Sequence, residues 1–107
     1  MPVAPLSVHE LRSKLAGGDS HALLDVREPW EIEIASLSAS INIPMDEIAG
    51  RADELPRDKP IVVVCHHGVR SYHVAQYLAD LGFPVVYNLT GGIDAWSRDI
   101  DPSVPIY

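Results

Sequence analysis

The chain has a single cysteine, Cys65, directly after a run of β-branched residues, Ile61 to Val64. His66, His67, Gly68, Val69, Arg70 and Ser71 follow it. A thiolate is a strong nucleophile, and cationic neighbours or a helix N-terminus favour it over the thiol. Cys65 is therefore the candidate catalytic nucleophile. Arg70 carries a planar guanidinium suited to oxyanions, and the free N–H groups of a helix that starts nearby would hold the same ligand. A nucleophile and an anion site would then share one short loop, with His66, His67, Gly68, Val69, Arg70 and Ser71 as its substrate-binding residues.

Each residue also has a plainer reading. Cys65 could be a buried structural thiol. Arg70 could be a solvated loop residue or half of an ion pair. If it binds the substrate anion, Arg70→Ala should weaken the use of anionic donors. Gly68 supplies backbone shape. Ser71 reads first as a helix N-cap, with a hydroxyl contact to the reacting sulfur as a second role. His66 and His67 are adjacent, so their rings should diverge. No third ligand is apparent, so neither a metal nor another cofactor is expected. The two histidines are expected to line the mouth of the site and help balance charge.

These residues need a scaffold. The unbroken apolar run before Cys65 reads as a strand buried on both faces, as in a parallel sheet. After Ser71, Val74, Ala75, Leu78 and Leu81 recur at helical spacing up to Gly82. Ligands of open α/β folds sit at the carboxyl ends of the strands, which is where Cys65 falls. Upstream, Ser7 and Glu10 have capping-box spacing and open a helix over about residues 8–16. Ala22 to Val26 reads as a strand, and Pro29 as the first turn of a short helix through Trp30 and Ile34. Residues 35–40 read as a loop and Ile41-Asn42-Ile43 as a short strand. Met45 to Leu55 reads as a helix weakened by Gly50. Pro84 to Leu89 is a further strand, Thr90-Gly91-Gly92 a tight turn, and Gly92 to Trp96 a last short helix. Residues 1–6 and the tail DPSVPIY read as extended. Strands alternating with helices predict an α/β fold with a mostly parallel sheet and helices on both faces. The turns after Asp25, Cys65 and Leu89 should gather at one edge.

The 107 residues suffice for one domain spanning 1–107. One cysteine allows no internal disulfide and no multi-cysteine metal site, and a free thiol suits a reducing compartment. MPVAPLSVHELRSKL has no apolar signal core, and no stretch reaches membrane-spanning length. The expectation is a soluble, cytoplasmic protein without a membrane partner. The net charge of −7 argues against nucleic-acid binding and makes the overall field repel small anions. An anionic ligand would need a locally positive site.

Four segments, in this order and spacing, resemble the single-domain rhodaneses, a sulfurtransferase family. They are LLDVREPWE (23–31), INIP (41–44), CHHGVRS (65–71) and GGIDAW (91–96). The resemblance covers nearly the whole chain. It implies a rhodanese-like three-layer α/β/α fold and a two-step reaction. The Cys65 thiolate would take the outer sulfur of a small anionic donor such as thiosulfate. The resulting persulfide would pass that sulfur to cyanide or a thiol, including a protein thiol. Backbone N–H groups of the loop would cradle the persulfide. Asp25 and Arg27 would support the loop, a role compatible with a simple local ion pair. One departure stands out: Ala35-Ser36-Leu37 occupies the place of a Gly-His-Ile-like stretch in the family, and the fold should survive it. Trp30 and Trp96 read as core or rim packing. Cysteine-dependent phosphatases share the strand–loop–helix plan but place five residues between cysteine and arginine, where this chain has four, His66 to Val69. A persulfide carrier or a regulatory binding module serving a protein partner is the other alternative.

Overall fold

The run that leads to Cys65 forms the central strand of a five-stranded sheet in the computed structural model, which describes residues 3–107. This strand, β4 (Ile61–Val64), is buried at every residue because both faces of the sheet are covered. Ile61, Val63 and Cys65 face one hydrophobic core, and Val62 and Val64 face another. The period of two along the strand thus becomes one core on each side of the sheet. The strands are β1 (Ala4–Leu6), β2 (Ala22–Asp25), β3 (Ile41–Asn42), β4 and β5 (Val86–Leu89), in the spatial order β1–β5–β4–β2–β3. Every adjacent pair is parallel.

Helices α3 (Ile48–Arg51) and α4 (Val69–Asp80) contribute to the first core through Ile48, Val74, Ala75 and Leu78. Helices α1 (Val8–Ala16) and α5 (Gly92–Asp99) contribute to the second through Val8, Leu11 and Ile93. The short α2 (Pro29–Ile34) follows β2. This is the rhodanese-like α/β arrangement that the sequence predicts. The capping box at α1 forms as expected, with Ser7 Oγ accepting from Glu10 N–H and Glu10 Oε1 from Ser7 N–H. Among the described residues, no helix is long and apolar enough to cross a membrane.

Several elements differ from expectation. Ala4–Leu6, read as an extended lead-in, is a strand that pairs with β5. It is an edge strand, where Pro5 can sit without a donor. Met1 and Pro2, the rest of that lead-in, lie outside the described residues. Met45 to Leu55 is not one helix. Two 3-10 turns, Met45–Glu47 and Ala52–Glu54, flank the single turn of α3. Its spacing still buries Ile48, Ala52 and Leu55. The backbone at Arg51 leaves helical values, with φ −129° and ψ 7°, and its guanidinium bridges Glu47 and Glu54. Ser71 is not the N-cap of α4. Gly68 fills that place at φ 104°, and the helix begins at Val69. The left-handed backbone needed there suits glycine, so the helix starts earlier than Ser71. Finally, α5 runs to Asp99, beyond the expected short helix.

Candidate active site

Three strand ends build the site, as the sequence predicts. β2 ends in Asp25, β4 runs into Cys65, and β5 leads to Gly91 and Gly92. The N-terminus of α5 is seated on the cysteine loop: Ile93 N–H donates to the Cys65 carbonyl at 2.9 Å and Asp94 N–H to the His66 carbonyl at 3.1 Å. This close approach needs Gly92, which sits at φ 59°. A Cβ there would fall on the carbonyl oxygens of His66 and Cys65.

Cys65 is 1% exposed. Its Sγ lies 3.1 Å from the Gly68 N–H that donates to it, and 3.3 Å from Ser71 Oγ. Asn88 fixes the direction of the second contact. Asn88 Nδ2 donates to the Gly68 carbonyl at 3.1 Å, so its Oδ1 is left to accept from Ser71 Oγ. The only hydroxyl proton of Ser71 is thereby committed, and Ser71 receives the thiol proton instead of giving one. A closed circuit of Cys65, Ser71, Asn88 and Gly68 holds the loop in shape. Ser71 is thus a buried member of the site, with its hydroxyl facing the reacting sulfur.

Arg70 is engaged by a carboxylate. Its two terminal nitrogens each lie 2.8 Å from an oxygen of Glu31, a bidentate pair across 39 positions of sequence. The ion-pair reading of Arg70 is the one the structure holds. Glu31 also accepts from Glu28 N–H and from the Tyr107 hydroxyl. The Arg70 hydrogen bonds hold its carboxyl well below the usual range, at about 2, against the opposing effect of burial. Glu31 in turn raises the Arg70 guanidinium. Because Glu31 is depressed in the folded protein, its stabilisation is complete above about pH 4.5 and is lost as pH falls toward 2. Relative to Glu31→Gln, the wild-type protein should lose about 3 kcal/mol of stability across that interval. Urea unfolding of both proteins at neutral and acid pH checks this, and parallel curves would contradict it.

Behind this pair lies a second one. Arg27 is fully buried, with Nε and one terminal nitrogen on the Asp25 carboxylate and the closest contact at 2.7 Å. It also donates to the Ala35 carbonyl and the Tyr107 hydroxyl, both at 2.7 Å. Burial pulls this guanidinium down, but Asp25 and Tyr107 more than offset that and leave it raised. Asn42 spans the same turn, its Nδ2 donating to the carbonyls of Asp25 and Arg27. The Ala35-Ser36-Leu37 departure fits this packing, since Ala35 and Leu37 are buried and Ala35 accepts from Arg27.

His66 stacks between Tyr107, at 3.9 Å and 4°, and His67, at 3.9 Å and 31°. Burial, and then the neighbouring His67, push its pKa down. Ligand atoms of His66, His67 and Asp94 lie within 4.8 Å of one another, so the fold does supply a third potential ligand that the sequence left hidden. Stacked imidazoles aim their lone pairs nearly side by side, whereas a tetrahedral ion needs them to converge. Asp94 is also held by Arg98 at 3.0 Å. The arrangement is that of a packing stack. Val69 stands at the rim, 66% exposed, and Trp30 meets Tyr107 edge to face at 6.2 Å.

Glu31, Asn88 and Tyr107 were not singled out by the sequence. Glu31 carried a faint signal as the third residue after Glu28 at the start of a helix, and Asn88 as the one amide in an otherwise apolar strand. Tyr107 carried none.

The family model described as Rhodanese-like domain matches residues 7–99. A chloroplastic rhodanese-like/PpiC domain-containing protein 12 of Arabidopsis thaliana is 42% identical over 99% of this chain, which spans 38% of that protein's length. A sulfurtransferase of Allochromatium vinosum is 36% identical, with 90% of each chain covered. Among solved structures, a rhodanese-related protein from Thermoplasma volcanium is 34% identical, with 97% of each chain covered and a TM-score of 0.81.

Proposed function

The chain belongs to the rhodanese-like sulfurtransferase family, and on that premise we propose that it moves a sulfane sulfur through a persulfide on Cys65. The Cys65 thiolate attacks the outer sulfur of a donor such as thiosulfate. The donor's S–S bond breaks and sulfite leaves with the bonding electrons. A thiophilic acceptor, cyanide or a thiol, then removes the outer sulfur and restores the thiolate. No oxidant, metal or other cofactor enters this cycle.

One observation carries the reading. The chain's only thiol ends the central strand, with the Gly68 N–H aimed at its sulfur at 3.1 Å and α4 beginning directly after. That amide and the N-terminal dipole of α4 favour negative charge on sulfur, both before attack and on the persulfide. Near-complete burial of Cys65 suits the transfer of a single atom, since only a terminal sulfur need reach Sγ. A free thiol also favours placing the reaction in a reducing compartment such as the cytoplasm. Intact mass after incubation with thiosulfate tests the proposal. The expected result is a gain of one sulfur atom that disappears on adding cyanide. A mass that never changes with any sulfane donor would end it.

A further inference from the structure

We infer that the preferred sulfur donor is a neutral or singly charged organic persulfide, R–S–SH, rather than the thiosulfate dianion. The inference rests on the sulfurtransferase reading and narrows its substrate class. Its basis is the charge around the loop. Glu31 cancels Arg70 through two contacts of 2.8 Å and stays ionised at any pH the protein works in. Asp25 cancels Arg27, which is buried and cannot turn toward the loop. Arg98, on the helix seated against the loop, is cancelled by Asp94. His66 is pushed toward its neutral form by burial and by His67.

Other cations are engaged elsewhere. Arg51 is held by Glu47 and Glu54. Arg57 lies over Phe83 and donates to the Leu81 carbonyl, at the end of α4 remote from Cys65. Lys14 lies over Tyr87. Each guanidinium built into the site thus has its own carboxylate, in a chain whose net charge is −7. A dianion would lose its hydration here without a free counter-charge, and the field of the whole protein would oppose its approach.

An organic persulfide avoids both penalties. The Cys65 thiolate bonds to its terminal sulfur, the donor's S–S bond breaks, and R–S⁻ departs with the electron pair. Cys65–S–SH remains, with one negative charge before and after and no net oxidation. The tyrosine, tryptophan and valine side chains at the rim, Tyr107, Trp30 and Val69, offer apolar contact to the R group.

The test compares the second-order rate of sulfur loading onto Cys65, read by intact mass, for cysteine persulfide and for thiosulfate. Cysteine persulfide should load at least about 100-fold faster. Equal rates, or faster loading from thiosulfate, would overturn the inference while leaving the sulfurtransferase reading in place. Loading from neither donor would instead remove that reading, and the inference with it. Glu31→Gln leaves Arg70 with an uncancelled charge and should raise the thiosulfate rate about 10-fold, with little change for cysteine persulfide. A thiosulfate rate that stays flat in a folded Glu31→Gln protein counts against the inference. Arg70→Ala is a second measurement, independent of whether Glu31→Gln folds. It should change both donors alike and keep their ratio within about 3-fold, contrary to the sequence expectation for an anion-binding arginine. A selective loss of thiosulfate use in Arg70→Ala would overturn the inference.

Discussion

Cys65→Ser should lose sulfur transfer by at least about three orders of magnitude, down to background, while the protein keeps its fold. Serine offers no sulfur to form the persulfide, and its hydroxyl is almost wholly protonated at neutral pH. The structural cost is small by comparison. Gly68 N–H can donate to the new oxygen, and Ser71 Oγ remains in place to accept from it. A buried hydroxyl with both partners present should change stability by about 1 kcal/mol or less. Thiocyanate formation and intact mass measure the first part, and a thermal melt the second. Substantial turnover in the folded variant would remove Cys65 as the nucleophile. Loss of both activity and fold would show instead that the thiol is chiefly a core residue, the plainer reading of a side chain only 1% exposed.

The parts of the fold that were legible in the sequence are those that local physics decides. Val-rich β4, the Ser7–Glu10 capping box and Pro29 at the start of α2 each state their own structure within a few residues. Gly91 and Gly92 mark a tight turn, and the structure shows that Gly92 is needed because α5 sits on the carbonyls of Cys65 and His66. β1 was not legible. Three residues containing Pro5 have no strand pattern of their own, and only the open edge of β5 makes them a strand.

The charge state of the site was also hidden. Whether Arg70 binds an anion depends on what lies 39 positions upstream, and no periodicity links it to Glu31. Tyr107 joins the same network from 76 positions beyond Glu31, and its hydroxyl also meets Arg27. The sequence identified the types of groups on the loop. Long-range pairing decides which charges remain free, and that is a property of the assembled fold. The mistaken N-cap has a similar origin. Ser71 is a good capping residue by type, but Gly68 provides the left-handed backbone, and the serine hydroxyl turns inward to Asn88 and Cys65.

The largest expected effect on stability comes from Asp25→Ala. Asp25 carries the only carboxylate on Arg27, whose side chain is 0% exposed. Removing it leaves a guanidinium in the core with hydrogen bonds to a carbonyl and a phenol but no countercharge. Uncompensated charges of this kind cost about 3–5 kcal/mol. In a domain of this size, each kcal/mol corresponds to about 4–8 °C in Tm. The melting temperature should therefore fall by more than about 10 °C, and denaturant titration should give a matching loss. A double replacement separates the pair's two contributions. Asp25→Ala with Arg27→Met removes the charge along with its partner and fills part of the volume. It should recover part of the loss despite leaving the Ala35 carbonyl without its donor. That recovery would identify the unpaired charge, more than the lost contacts, as the source of the damage. If Asp25→Ala alone cost less than about 1 kcal/mol, the pair could not be what holds the end of β2 under the cysteine loop.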